Sequence, residues 1–214
     1  MRTYSKVLLA MPERPFSEYA ARNTAPILEL LQREFREQDD RLHVLEIGSG
    51  TGQHAVAFAA AMPQVHWQTS DLVENHAGIA AQIANAALEN VSGPLALDVR
   101  ADSVEIGSCD AVYSANTAHI MGIDAVTCMF ALVGEVLRPG GVFCLYGPFR
   151  VGGAFNAPSN EAFDNSLRAR DPVMGIRDLE RLDEFATTSG LERQRLYAVP
   201  SNNCVAVWTK RAAA

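Results

Sequence analysis

The sequence contains no run of eighteen apolar residues, so it supplies no candidate membrane span. Its four cysteines (Cys109, Cys128, Cys144, Cys204) are widely spaced and form no C-x-x-C pair. That spacing argues for buried reduced thiols, not a disulfide framework or a thiolate metal site. The five histidines show no metal-ligand spacing either, and no metal is expected. Internal repeats and low-complexity segments are absent. Basic residues are scarce where they would matter for a nucleic-acid binder. The net charge is −7, and between Leu42 and Leu137 the only Lys or Arg is Arg100, against ten acids. No nucleic-acid partner is expected from such a balance, whereas a cationic ligand would be at ease. Seven arginines do fall between Arg150 and Arg195, but eight acids lie among them. The apolar patch near the N-terminus is too short for a signal peptide, so a cytoplasmic, membrane-free protein is expected. Nothing indicates an oligomer.

What is present is the composition of a globular α/β chain. At 214 residues, 48% hydrophobic and 20% charged, residues 1–214 read as one domain with a full core. "FSEYAARNTAPILELLQREFREQ" reads as helix, with Pro26 expected to break it into two pieces. Then strands and helices alternate. "LHVLEI", "VHWQTS" up to Asp71, "GPLALDV" with Asp98 at its end, "CDAVYSAN" and "VFCLYGPF" are the strands. "QHAVAFAAAM", "HAGIAAQIANAALEN" and "AVTCMFALVGEVL" are the helices between them. This rhythm predicts a parallel sheet with right-handed crossovers. A Gly/Pro/Asn/Arg-rich insertion spans about 148–176. A helix follows, N-capped by Asp178 and stopped by Gly190, then an antiparallel hairpin, "LERQRLYAVP" to "NCVAVWTK".

The chemistry concentrates in "VLEIGSGTGQHAV", three glycines between a strand and a helix. Such a turn aims backbone N–H groups and a helix N-terminus at a ligand, and lets the ligand approach closely. No Gly-Lys-Ser/Thr follows, which removes the P-loop. The spacing is G-x-G-x-G, with Gln53 where the dinucleotide fingerprint has its third glycine. Glu46 precedes the first glycine by two positions. Asp71 ends the second strand, where a carboxylate accepts both ribose hydroxyls. Asp98 ends the third, where an acid accepts an adenine amino hydrogen. Three acids at successive strand ends form one constellation on one rim of the sheet.

With these motifs the sequence resembles the class I S-adenosylmethionine-dependent methyltransferases: "VLEIGSGTG", "TSD", "LDV" and "LRPGGVFCLYG" match their first, ribose, adenine and fifth-strand motifs. More narrowly, "PFSEYAARNTAPIL", "SANTAHI", "YGPF", "SNEAFDNSLRARDPVMGIRD" and "SNN" resemble the methyltransferase-like protein 26 family, long listed as a domain of unknown function. The resemblance spans about residues 17–210. It implies an α/β, Rossmann-like, seven-stranded and mostly parallel sheet, its last strand antiparallel, with helices on both faces and an extra N-terminal helix. The implied cofactor is S-adenosylmethionine, with S-adenosylhomocysteine (SAH) as product. Its contacts would come from Glu46, Gly48, Ser49, Gly50, Gly52, Gln53, His54, Asp71, Leu72, Asp98, Val99 and Asn116.

Methyl transfer mainly requires orientation and exclusion of water, with a base only where the acceptor must lose a proton. Candidates stand where the fourth strand ends: Asn116, Thr117 and His119 as the possible base. Asn116 matches the first position of the Asp/Asn-Pro-Pro-Tyr sequence of amino-methyltransferases, but no Pro-Pro-Tyr follows. The expected acceptor is therefore a small molecule outside that class. A helical cover at about 16–38 and the insertion would select it, through Arg22, Asn23, Tyr146, Asn160 and Arg177. Arg168, Arg170 and Arg177 could bind an acidic small molecule, but Asp164, Asp171 and Asp178 are near enough that neutralisation is the expectation. Glu18 and Arg22 also have the spacing of an i,i+4 helix pair. Two alternatives are carried: a non-catalytic S-adenosylmethionine- or nucleotide-binding module, and an NAD-dependent oxidoreductase, which the glycine spacing and the terminal hairpin count against.

Overall fold

The computed structural model describes residues 16–35, 42–101 and 106–212. The last residues of the expected 16–38 cover and the final two alanines lie outside that range.

Short apolar runs with both faces buried make the central strands. β1 (Leu42–Ile47) pairs in parallel with β2 (Val65–Asp71) on one side and β4 (Cys109–Ala115) on the other. β3 (Val91–Ala96) lies outside β2, and β5 (Leu137–Gly147) lies beside β4. The final hairpin adds β9 (Leu191–Val199) and β10 (Asn203–Lys210). β10 inserts antiparallel between β5 and β9, giving the order β3-β2-β1-β4-β5-β10-β9. The seven-stranded sheet with one antiparallel strand is thus the one the sequence implies.

α1 (Glu18–Glu34), α2 (Gln53–Ala61) and α3 (His76–Ala86) follow the alternation, as does α4 (Ile123–Val136). Side chains alternate along each strand, so Val44 and Leu45 point to opposite faces. Val44, Trp67, Tyr113 and Tyr146 pack with Ile27, Leu31 and Phe58 from α1 and α2. Leu45, Val112, Phe143 and Trp208 pack with Met129 and Phe130 of α4 and Leu182 of α6 (Leu179–Thr188).

Several local readings are corrected. Pro26 does not divide α1: the helix runs through it, because Ile27, Leu30 and Leu31 are buried on the sheet and hold both halves in one axis. The insertion is no open loop. It forms β6 (Phe149–Val151), β7 (Ala154–Phe155) and α5 (Pro158–Arg170), and β6 also pairs in parallel with β8 (Arg177–Asp178). Asp178 stands at the start of α6, but its carboxylate takes the Arg150 guanidinium instead of capping the helix. Glu18 and Arg22 do not pair; Arg22 lies over the Tyr19 ring at 4.8 Å, and the i,i+4 pair of α1 is Glu29–Arg33. All four cysteines are free thiols, Cys109 and Cys144 buried, Cys128 and Cys204 half-buried.

Candidate functional site

The connections from β1 and β4 leave in opposite directions, so a crevice opens at the carboxyl ends of these neighbouring strands, the usual ligand position in an open α/β sheet. The glycine turn after β1 forms one wall. Its three glycines all take positive φ: Gly48 +72°, Gly50 +57°, Gly52 +74°. A side chain at Gly48 would stand 2.6 Å from Thr117 Cγ2, whereas at Gly50 it would meet nothing within 4 Å. Gly50 therefore keeps space open for a ligand, and Gly48 lets two backbone segments close together.

The turn's amides are used differently from expectation. Gly48 and Ser49 donate to the Ser70 carbonyl, and Gly50 donates to Asp71 Oδ2 at 2.7 Å. These N–H groups lash the turn to the end of β2. What the turn offers a ligand is its missing side chains and the start of α2, where Gly52 supplies no side-chain cap. Ser49 and Ser70 complete the lashing: the Ser70 amide donates to Ser49 Oγ, and Ser70 Oγ donates to the Glu46 carbonyl.

Asp71 is buried and anchors the turn. Besides Gly50, its carboxylate accepts from the Leu72 amide at 2.8 Å and from Asn75 Nδ2 at 2.7 Å, both on Oδ1. Oδ2 retains a lone pair. Glu46 is buried next to it and receives Trp67 Nε1–H at 3.1 Å. Burial raises its carboxyl to about 7, with the Asp71 charge adding to the rise. Asp98 is two residues beyond β3, not at its end, and is part-exposed; Arg100 grips it with three hydrogen bonds, two from its guanidinium and one from its backbone N–H, which hold its pKa down.

Gln53 and His54 tie α1 over the turn. Gln53 Oε1 accepts the Ser17 amide at 2.6 Å. His54 Nε2 meets the Ala20 carbonyl at 3.2 Å, and Nδ1 meets the Tyr113 hydroxyl at 3.3 Å. Since a carbonyl only accepts, His54 carries its proton on Nε2 and accepts from Tyr113. Burial pushes its pKa down to about 4, so it is neutral at pH 7.

Three cavities meet in this crevice. One of about 540 Å³ is lined by Asp71, Leu72, Asn75, Leu97, Asp98 and Val99, with Gly48 and Gly50. A small one of about 170 Å³ lies against Glu46, Ser49, Gly50, His54, Ser17 and Tyr19. The third, of about 630 Å³, lies under α1 and α5 and is lined by Arg22, Asn23, His119, Asn160, Phe163 and Asn203 among others. Asn116 lines all three. It takes φ +59°, a left-handed conformation that asparagine tolerates better than most side chains, with its amide donating to the Tyr146 carbonyl.

His119 is buried against Phe163, ring centroids 5.3 Å apart, and its ring nitrogens meet no protein partner among the described residues. Burial, then the charges of Arg177 and Arg170, push its pKa down to about 4. Tyr146 does not reach the large cavity; it is buried in the sheet, and its hydroxyl accepts from Asn203 Nδ2 at 2.9 Å. Nor does Arg177. Its guanidinium donates to the carbonyls of Ala118, Met121 and Val173 and so braces the segment after β4. Of the arginines expected to be neutralised by acids, Arg168 is paired with Asp164 at 2.6 Å, but Arg170 and Arg177 meet no carboxylate among the described residues, Arg170 reaching the Met174 sulfur instead. Phe163, Leu167 and Asn203 were not legible as cavity residues, because α5 and the start of β10 are brought there only by the tertiary fold.

This sheet order, with the glycine turn and the crevice at its centre, is the class I methyltransferase fold. The S-adenosylmethionine-dependent methyltransferase SibL, in its apo form, superposes with a TM-score of 0.72 at 22% identity, over 91% of this chain and 57% of that one. An O-methyltransferase family protein from Burkholderia thailandensis gives 0.76 at 12% identity, over 91% and 58%. CalO1, a methyltransferase in calicheamicin biosynthesis in its SAH-bound form, gives 0.72 at 17%, over 91% and 54%. The chain thus spans a little over half the length of these structures. By sequence it belongs to the family described as Protein of unknown function (DUF938), whose model matches residues 14–210. No helix among the described residues is long and apolar enough to cross a membrane.

Proposed function

We propose that the protein is an S-adenosylmethionine-dependent methyltransferase acting on a small molecule, akin to the methyltransferase-like protein 26 family. The observation that carries this reading is Asn116, where three cavities join at the carboxyl ends of β1 and β4. Such a junction suits a donor laid across two cavities with its reacting centre facing a third. The residues fit the cofactor. Asp71 Oδ2 and the Leu72–Asp98–Val99 wall suit an adenosine, provided Asp98 shares its carboxylate with Arg100. Gly50 leaves room at the turn, and the buried Glu46 carboxyl suits an amino or sulfonium cation. When bound, S-adenosylmethionine would supply an electrophilic methyl group on sulfur, leaving SAH, while any proton the acceptor gives up would pass to solvent.

The chain's part is to orient the acceptor and exclude water. α1 and α5 cover the large cavity, and Asn116 and His119 face into it. At pH 7 His119 is neutral, yet with a pKa near 4 it is a weak base. Its role in this reading is to accept a hydrogen bond from the acceptor's O–H or N–H and fix that atom's direction. Calorimetric titration with SAH and with NADH tests the reading: SAH should bind and NADH should not. Binding of NADH alone would overturn it in favour of an oxidoreductase.

A further inference from the structure

The large cavity is electrostatically unlike the rest of this acidic chain. Nine arginines pair with a carboxylate among the described residues. Arg22, Arg170 and Arg177 do not, and Arg177 is taken up by three carbonyls. The two that remain, Arg22 and Arg170, both line the large cavity, and among the described residues no Asp or Glu lines it with them. Arg22 rests on the face of Tyr19, and Arg170 touches only the Met174 sulfur, a weak acceptor at 3.2 Å. Both are exposed, so they stand at the mouth, while His119, Asn160 and Leu167 are buried and form the floor.

The floor is also built for a ligand. Asn160 Nδ2 donates to the Asn202 carbonyl at 2.9 Å and to Asn156 Oδ1 at 2.7 Å. A carbonyl can only accept, so the amide orientation is settled and Asn160 Oδ1 is left without a partner among the described residues. The His119 ring nitrogens are in the same condition. Two polar side chains, each more than nine-tenths buried, thus present unused acceptors to a cavity walled by Phe163, Ile120 and Leu167. Neither acceptor is sealed from solvent, so water meets it in the open cavity and a ligand hydrogen can take that water's place. The Arg170 charge already reaches this floor, since it contributes to the lowered basicity of His119.

We infer that the methyl acceptor is a small organic anion, a carboxylate or a phosphate ester on a ring-sized apolar body. Arg170 and Arg22 take its charged end at the mouth, and Asn160 and His119 take a hydroxyl or amino hydrogen at the floor. This rests on the methyltransferase reading for the word acceptor, but the anion site stands or falls separately. Neither arginine takes part in an ion pair among the described residues, so Arg170→Gln and Arg22→Gln should fold normally.

The probes are benzoate, phenyl phosphate and uncharged benzamide, titrated into SAH-saturated protein by ligand-observed NMR and, separately, into protein without SAH. Either anion should bind at least about tenfold more tightly than benzamide, the scale of one charge-assisted hydrogen bond. Preference between the two anions distinguishes the carboxylate from the phosphate source. Arg170→Gln should weaken the anion about tenfold while leaving benzamide and SAH affinities unchanged. Equal binding of benzamide and the anions, or anion binding indifferent to Arg170→Gln and Arg22→Gln, overturns the inference. Anion binding in a protein that does not bind SAH upholds the anion site and overturns the methyltransferase reading instead.

Discussion

Gly48 and Gly50 share a left-handed backbone, yet substituting them should have different consequences. At Gly48 an added methyl meets Thr117 Cγ2, and Thr117 cannot yield, because its hydroxyl is bonded to Ser114 Oγ at 2.7 Å. Gly48→Ala should therefore cost about 3 kcal/mol, combining left-handed strain with overpacking. Gly50→Ala carries only the strain, about 1 kcal/mol, because its methyl would project into open space between the two cavities assigned to the cofactor. Urea unfolding paired with SAH titration checks this. Gly50→Ala should lose more binding energy than folding energy, and unimpaired SAH affinity in that variant would remove the turn from the site. Asp71 shows how a residue legible in sequence can hold two duties. Its position at the end of β2 followed from the pattern, but its three internal hydrogen bonds did not, since Gly50 and Asn75 reach it only through the folded turn.

Among the elements, α1 departs most from local expectation. Pro26 lacks the N–H that would bond to the Arg22 carbonyl, and an interior proline in an isolated helix costs about 3 kcal/mol. The helix survives because it is fastened along its length. Ser17 caps it and bonds Gln53, Ala20 meets His54, and at the far end Glu34 accepts from Tyr197 at 2.6 Å and from Arg195 at 2.9 Å. Pro26→Ala should consequently stabilise the protein by about 1 kcal/mol, part of the propensity gain being offset by a freer unfolded chain. Thermal unfolding reads this as a rise of about 2–4 °C in Tm; a fall would show that the proline shapes the cover. α5 is the complementary case. No helix is read in its Gly/Pro/Asn-rich stretch, but Pro158 in the first turn starts a 13-residue helix, and Leu167 is buried beneath it.

On the scale of the molecule, buried titratable groups set how the fold responds to acid. His54 and His119 are held near pKa 4 against an ordinary 6.5, so the unfolded chain binds more protons between those values. Stability from each is present above pH 6.5 and is lost as pH falls through 4, by about 3 kcal/mol apiece. Glu46 works in the opposite sense. Raised from 4.5 to about 7, it favours the folded state at low pH, and its contribution is lost as pH rises through 7. Two terms against one leave a net loss of about 3 kcal/mol on going from pH 7 to 4. Tm should fall by roughly 6–12 °C over that interval, and His119→Gln should flatten the fall. A pH-independent Tm would contradict the burial of these imidazoles.

Periodicity and the punctuation of Gly, Pro and Asp were enough for the alternating strands and helices of the parallel half, the glycine turn and the acid ending β2, because each depends on a few neighbouring residues. They were also enough for the final hairpin. The joining of three cavities at Asn116, the lack of a carboxylate partner for Arg22 and Arg170 among the described residues, and the locking of Arg177 onto carbonyls depend on segments more than fifty residues apart. Which charge finds a partner is settled by distance in space, and a sequence in which acids and arginines are well mixed leaves that choice to the fold.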